Sequence, residues 1–117
     1  MPRKVSMLLT NAVSFNMFNT LNVELTSHEV SVNIARELLL RNGMESGLGH
    51  QDAATGATAE LGFDAPYCRA NTCLEVTTEP HQFLVYHRKG MRLVEGAMVA
   101  PEGSQYTWLL VTYQQPS

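Results

Sequence analysis

The stretch GMESGLGHQDAATGATAELG, residues 43–62, decides the architecture. Its first part, Glu45 to Gly49, reads as a short strand. From Asp52 to Leu61 the residues suit a helix, with Ala53, Ala54, Ala57 and Leu61 on one side and Gly62 as the stop. A Gly-flanked histidine, His50, stands at the junction between the two. Gly56 sits inside the helix, where it costs about 1 kcal/mol against alanine. Its presence predicts close approach of another backbone.

Working outward, Val5 to Thr10 reads as a buried strand that leaves through a polar loop, Asn11 to Asn19. Leu21 to Leu25 alternates and reads as a second strand. The run Thr26-Ser27-His28-Glu29 fits a capping box and predicts that a helix opens at Thr26. Val30, Ile34 and Leu38 give that helix an apolar face, with Ala35 and Leu39 beside them. Arg36 and Arg41 point off the face, and Gly43 ends it. Downstream, Thr72 to Thr77 and Gln82 to His87 read as strands about a turn at Glu79-Pro80. Gln105 to Tyr113, carrying Trp108, reads as the last strand. Between them lies a turn-rich stretch from Arg88 to Gly103. The order β-β-α-β-α-β-β-β implies an α/β protein with a mixed sheet.

The chain has 117 residues, the size of one domain, 1–117. Such a chain buries roughly two thirds of its unfolded surface. That suffices for one core and leaves little volume for a deep private pocket, so a large ligand suits a groove shared between subunits. With 44% apolar and 16% charged residues the composition is globular. Eight basic against eleven acidic residues give a net charge of −3, which speaks against a bulk polyanion binder. No apolar run is long enough to cross a membrane. The short run Val5 to Leu9 after Arg3 and Lys4 is too brief for a secretory signal, so a cytoplasmic protein is expected. Cys68 and Cys73 are then expected to be reduced thiols; a disulfide and a zinc site are the alternatives, and no second CxxC or HxxxH supports zinc.

Three segments can carry chemistry. The first is LTNAVSFNM, 9–17, where Asn11 and Ser14 follow a buried strand and offer donors and acceptors to a base or phosphate. Turn chemistry that merely ends the strand is the alternative, and the pattern alone favours it. The second is GLGHQD, 47–52, where helix amides favour an anion and His50 can give it a proton. A histidine that only caps the helix is the alternative. The third is RKGMRLVEG, 88–96, with three of the eight basic residues in five positions. Arginine grips phosphate with a planar fork; a solvated loop is the alternative. No Walker loop, serine elbow, HExxH or calcium loop occurs, and the carboxylates are scattered. His28 is expected on a helix surface, His81 in a turn and His87 in a strand.

These segments carry a resemblance. The chain resembles the viral ring nucleases of the type III anti-CRISPR family, small dimeric proteins that degrade cyclic tetra-adenylate. LTNAVSFNM at 9–17, GLGHQDAATGATAELG at 47–62 and GMRLVEGAMVAPEG at 90–103 match in order and spacing. Met91 and Val94 stand where the family pattern tends to carry proline. The resemblance implies a mixed, mostly five-stranded sheet flanked by helices, and a two-fold homodimer with the ligand across its interface. It implies His50 as the catalytic histidine, Arg92 as the phosphate-stabilising arginine and Glu95 as its neighbouring acid. Asn11 and Ser14 become ligand-binding residues, and Gly49 lies among them. Arg88 falls where the family has a further polar contact, and Arg69 would cover the ligand from a nearby loop. No cofactor or metal is implied, and no membrane, DNA or long-RNA partner. The rival expectations are a dimer that sequesters a cyclic oligonucleotide or grips duplex nucleic acid without cutting it, and a small protein that docks a host partner.

Overall fold

The computed structural model describes residues 6–68, 73–89 and 105–116. Five strands and two helices follow one another as β1 (Met7–Thr10), β2 (Glu24–Val30), α1 (Val32–Asn42), β3 (Met44–Gly47), α2 (Gln51–Leu61), β4 (His81–Lys89) and β5 (Gln105–Gln114). A short 3-10 turn, Phe15–Met17, lies between β1 and β2. The strands form one sheet in the order β2-β5-β4-β1-β3. Strand β1 runs parallel to both neighbours, Thr10 pairing with Gly47 on one side and Val85 on the other. The pairs β2–β5 and β4–β5 are antiparallel. The sheet is therefore mixed, as the element order predicts.

Alternation along the strands divides the core in two. Met7, Leu9, Leu84, Tyr86, Trp108 and Leu110 face one way and pack against Ala35 and Leu39 of α1 and Ala53, Ala54, Ala57 and Leu61 of α2. Leu8, Phe83, Val85, Val111 and Tyr113 face the other way and meet Met17, Phe18 and Val76. Both helices thus cover one face. The second face is closed by the Phe15–Met17 turn and the segment 73–77, so the helices do not flank the sheet on both sides. Leu74 accepts from Asn19 N–H at 3.1 Å and donates to Met17 O at 2.6 Å, which ties the two covers together.

The structure corrects several sequence expectations. Thr26 to Glu29 belongs to β2 and not to a helix N-terminus. All seven residues of β2 pair with β5, from Glu24 opposite Gln114 to Val30 opposite Trp108. Extended ladder bonds over seven residues displace a local capping box. The helix opens at Ser31, whose Oγ accepts from Ile34 N–H at 3.2 Å. Its buried stripe is therefore Ala35 and Leu39, while Ile34 is exposed. His28 accordingly lies on a strand. The described part of the expected strand Thr72 to Thr77 is irregular, with one isolated bridge, Leu74 to Phe18. Gly56 meets a side chain and not a backbone: a Cβ there would lie 2.8 Å from the Tyr86 hydroxyl. The helix stops hold, since Gly43 and Gly62 both take positive φ.

Arg36 closes the C-terminus of α2. Its Nε and Nη2 donate to the carbonyls of Leu61 and Glu60 at 2.8 and 2.9 Å. These are helix-end acceptors that a cation satisfies well.

The core also sets a pH limit. Burial first, then the hydrogen bond to Glu60 and its charge, push the Tyr86 phenol up from its ordinary value of 10.0. Burial pushes the Tyr113 phenol up as well. Below pH 10.0 both folded and unfolded chains keep these phenols neutral, and the stabilisation is complete. Above it the unfolded chain releases protons that the folded chain retains, so rising pH favours unfolding. The urea midpoint is expected to fall as the pH is taken above about 10, and less so in Tyr113→Phe. A midpoint that rises there would contradict this burial.

Candidate functional site

The parallel strands β1, β3 and β4 end on the same side of the sheet, where ligands of α/β proteins bind. Thr10, buried at the end of β1, shares its hydroxyl between the carbonyls of Ala12 (3.2 Å) and Gly47 (3.3 Å). This holds the exits of β1 and β3 side by side. Asn11 follows, and its Oδ1 accepts from Gly49 N–H at 2.9 Å. Two residues singled out separately in the sequence are therefore bonded to each other, and the first loop is tied to the β3–α2 junction.

His50 is the N-cap residue of α2, with extended backbone at φ −129° and ψ 135°. Its carbonyl accepts from Ala54 N–H at 3.1 Å. Its imidazole makes no capping hydrogen bond and is exposed. A histidine that merely caps the helix would use its ring for that purpose. Here the ring is left facing solvent at the positive end of an 11-residue helix. Leu48, two residues earlier, bridges to Tyr67, and Cys68 N–H donates to Leu48 O at 2.9 Å. These contacts brace the junction from its open side.

Ser14 is committed locally. Its Oγ accepts from Asn16 N–H at 3.3 Å and caps the 3-10 turn, while its own N–H reaches Met17 Sδ at 3.2 Å. It remains exposed at the same edge, beside a 67% exposed Phe15. Arg88 lies on β4 three residues beyond Val85, the partner of Thr10. That places it about 10 Å past the end of β1 along the strand direction. It is half-buried, and its Nη2 donates to the Tyr106 hydroxyl at 3.4 Å. Arg69, Arg92 and Glu95 lie outside the described residues. Lys89 and Gln105, which bound the segment carrying Arg92 and Glu95, pair with each other across β4 and β5.

Other expected features fall elsewhere. His81 begins β4 at the opposite end of the sheet, its ring 2.9 Å from Thr77 Oγ1. A groove of about 770 Å³ opens at that end, lined by Glu45, Glu75, His81, Phe83 and Tyr113 among others. It is far from the His50 edge. His87 is an exposed strand residue. Cys68 and Cys73 are free thiols. Among the described residues no three His, Cys, Asp or Glu side chains are grouped to hold a metal. None of the helices there is long and apolar enough to cross a membrane. Sequence reasoning missed Thr10, Glu60 and Tyr106, whose roles depend on partners distant in the chain.

The chain matches no protein-family model and no curated protein. Among solved structures it is similar to B116 of Sulfolobus turreted icosahedral virus, with a TM-score of 0.60 and 19% sequence identity over 91% of this chain and 97% of that one. At that identity the likeness is one of fold: a single α/β domain with a five-stranded mixed sheet.

Proposed function

We propose that the protein is a ring nuclease that cleaves cyclic tetra-adenylate to linear di-adenylates with 2′,3′-cyclic phosphate ends, and so switches off type III CRISPR signalling. The observation that supports this best is the exposed His50 imidazole at the start of α2, which makes no capping hydrogen bond and has no partner among the described residues, beside a Gly49 amide held by Asn11. The fold shared with a protein of an archaeal virus agrees with a viral origin.

The chemistry needs few protein groups. Each RNA linkage carries a 2′-hydroxyl next to its phosphate. Held in line, the 2′-oxygen attacks phosphorus and its proton passes to solvent. The bond from phosphorus to the 5′-oxygen breaks, and protonated His50 gives its proton to that oxygen. No water is consumed, so the step is a transesterification and not a hydrolysis. In-line positioning supplies several kcal/mol, and general-acid help adds roughly 10²–10⁴-fold. Arg92 stabilises the phosphoryl oxygens, and Glu95 orients Arg92. The site lies on an open edge, so the reading includes a homodimer whose two-fold axis matches that of the four-fold ring. Two His50 side chains then address opposite phosphates. Asn11, Ser14, Arg69 and Arg88 contact the ligand.

The test is incubation with cyclic tri-, tetra- and hexa-adenylate in the presence of a chelator, with products separated by chromatography. Conversion of the tetramer to cyclic-phosphate-ended dimers is expected. Binding without conversion would replace the enzyme by a sequestering module, and a requirement for metal would refute the mechanism.

A further inference from the structure

We propose that Tyr106 is the positioning residue for Arg88, and that a column of side chains anchored on Glu60 holds this guanidinium at the His50 edge of the sheet. The identity of the ligand that Arg88 meets rests on the function proposed above. The positioning itself is a property of the free protein.

The column is built link by link. Arg88 and Tyr106 stand directly opposite each other on β4 and β5. The guanidinium carbon lies 5.7 Å from the Tyr106 ring centroid, and Nη2 donates to the hydroxyl of the same residue at 3.4 Å. Tyr106 stacks on Tyr86 with centroids 4.3 Å apart and planes 1° from parallel. The Tyr86 hydroxyl donates to one carboxylate oxygen of Glu60, and Trp108 Nε1 donates to the other at 3.2 Å. Trp108 packs on Tyr86 at 4.7 Å. Glu60 therefore accepts from two rings, and those rings fix the ring beneath Arg88.

Two consequences follow for ligand binding. A free arginine side chain has many rotamers, and an aromatic ring beneath it removes most of them before a ligand arrives. Preorganisation of that kind reduces the entropy lost on binding. The charge also stays available. Among the described residues the partners of Arg88 are an uncharged phenol and its ring. Arg36, by contrast, is spent on the carbonyls of Leu61 and Glu60, and Arg41 on Glu37 at 2.5 Å. The same construction reaches His50. Glu60 lies in the last turn of α2, and His50 is its N-cap. One rigid helix thus carries the imidazole at one end and the anchor of the Arg88 column at the other.

The test uses the full chain with ¹⁵N relaxation of the Arg88 Nε–H group, alongside calorimetric titration with cyclic tetra-adenylate. Arg88 Nε is expected to be ordered in the free protein and in Tyr106→Phe, which keeps the ring, and to become mobile in Tyr106→Leu. Tyr106→Thr, also compatible with a strand, replaces Tyr106→Leu if that variant fails to fold. Affinity is expected to fall about tenfold in Tyr106→Leu and by a similar factor in Arg88→Ala. The double variant should bind no more weakly than Arg88→Ala alone. Equal Arg88 order in wild type and Tyr106→Leu, or additive losses in the double variant, would overturn the proposal. Order that depends on Tyr106 in a protein that does not bind the tetramer would uphold the column and remove the oligoadenylate from it.

Discussion

Replacing His50 by alanine is expected to slow cleavage of cyclic tetra-adenylate by roughly 10²–10⁴-fold, the span of general-acid contributions. Affinity for the ring should stay close to that of wild type, because the proton is needed only as the 5′-oxygen departs. Single-turnover rates and equilibrium titration of the same variant separate the two quantities. The variant is also a clean one. The His50 imidazole makes no capping bond and is exposed, so its loss leaves no buried partner unsatisfied. Stability is expected to stay within about 0.5 kcal/mol of wild type, as for other surface substitutions. An unchanged single-turnover rate would remove His50 from the mechanism, and a large loss of affinity would make it a binding residue.

The largest effect on stability is expected at Tyr86. This side chain is 2% exposed and lies between Tyr106 and Trp108, with its hydroxyl on Glu60. Gly56 leaves the space above it, and a Cβ there would come within 2.8 Å of the hydroxyl. Tyr86→Ala is expected to cost about 3–5 kcal/mol, the range for emptying a buried aromatic site. Tyr86→Phe keeps the packing and loses one hydrogen bond, so about 1–2 kcal/mol is expected. Urea unfolding of both variants checks the ratio. Glu60 is exposed, so water can replace the lost donor, which keeps the second figure low. Equal losses in the two variants would mean that the hydrogen bond, and not the packing, holds α2 on the sheet.

The local elements were legible where period and punctuation agree. Alanines at 53, 54 and 57 with Leu61 and a terminal Gly62 specify α2 within one residue of its observed start. Short continuous apolar runs, Phe83 to Tyr86 and Trp108 to Val111, specify β4 and β5 almost to their ends. The reading failed at Thr26 to Glu29, where a capping box lies inside an edge strand. A four-residue signal cannot reveal the seven-residue partner that starts eighty positions later. The placement of both helices on one face was likewise hidden, since a helix stripe states that a face is buried but not against what.

For the site, residue types singled out Asn11, the Gly49–His50 junction and the basic segment that begins at Arg88, while turn, cap and solvated-loop readings explained the same residues. Their joint position was decided by the tertiary structure. Parallel pairing of β1 with β3 and β4 brings three strand exits to one edge, and Asn11 then finds the Gly49 amide 38 residues away. Tyr106 and Glu60 could be recognised only there, since stacking and shared hydrogen bonds depend on strand register and helix seating. Local sequence determines which segments extend or coil. Long-range pairing determines which side chains meet, and the chemistry resides in those meetings.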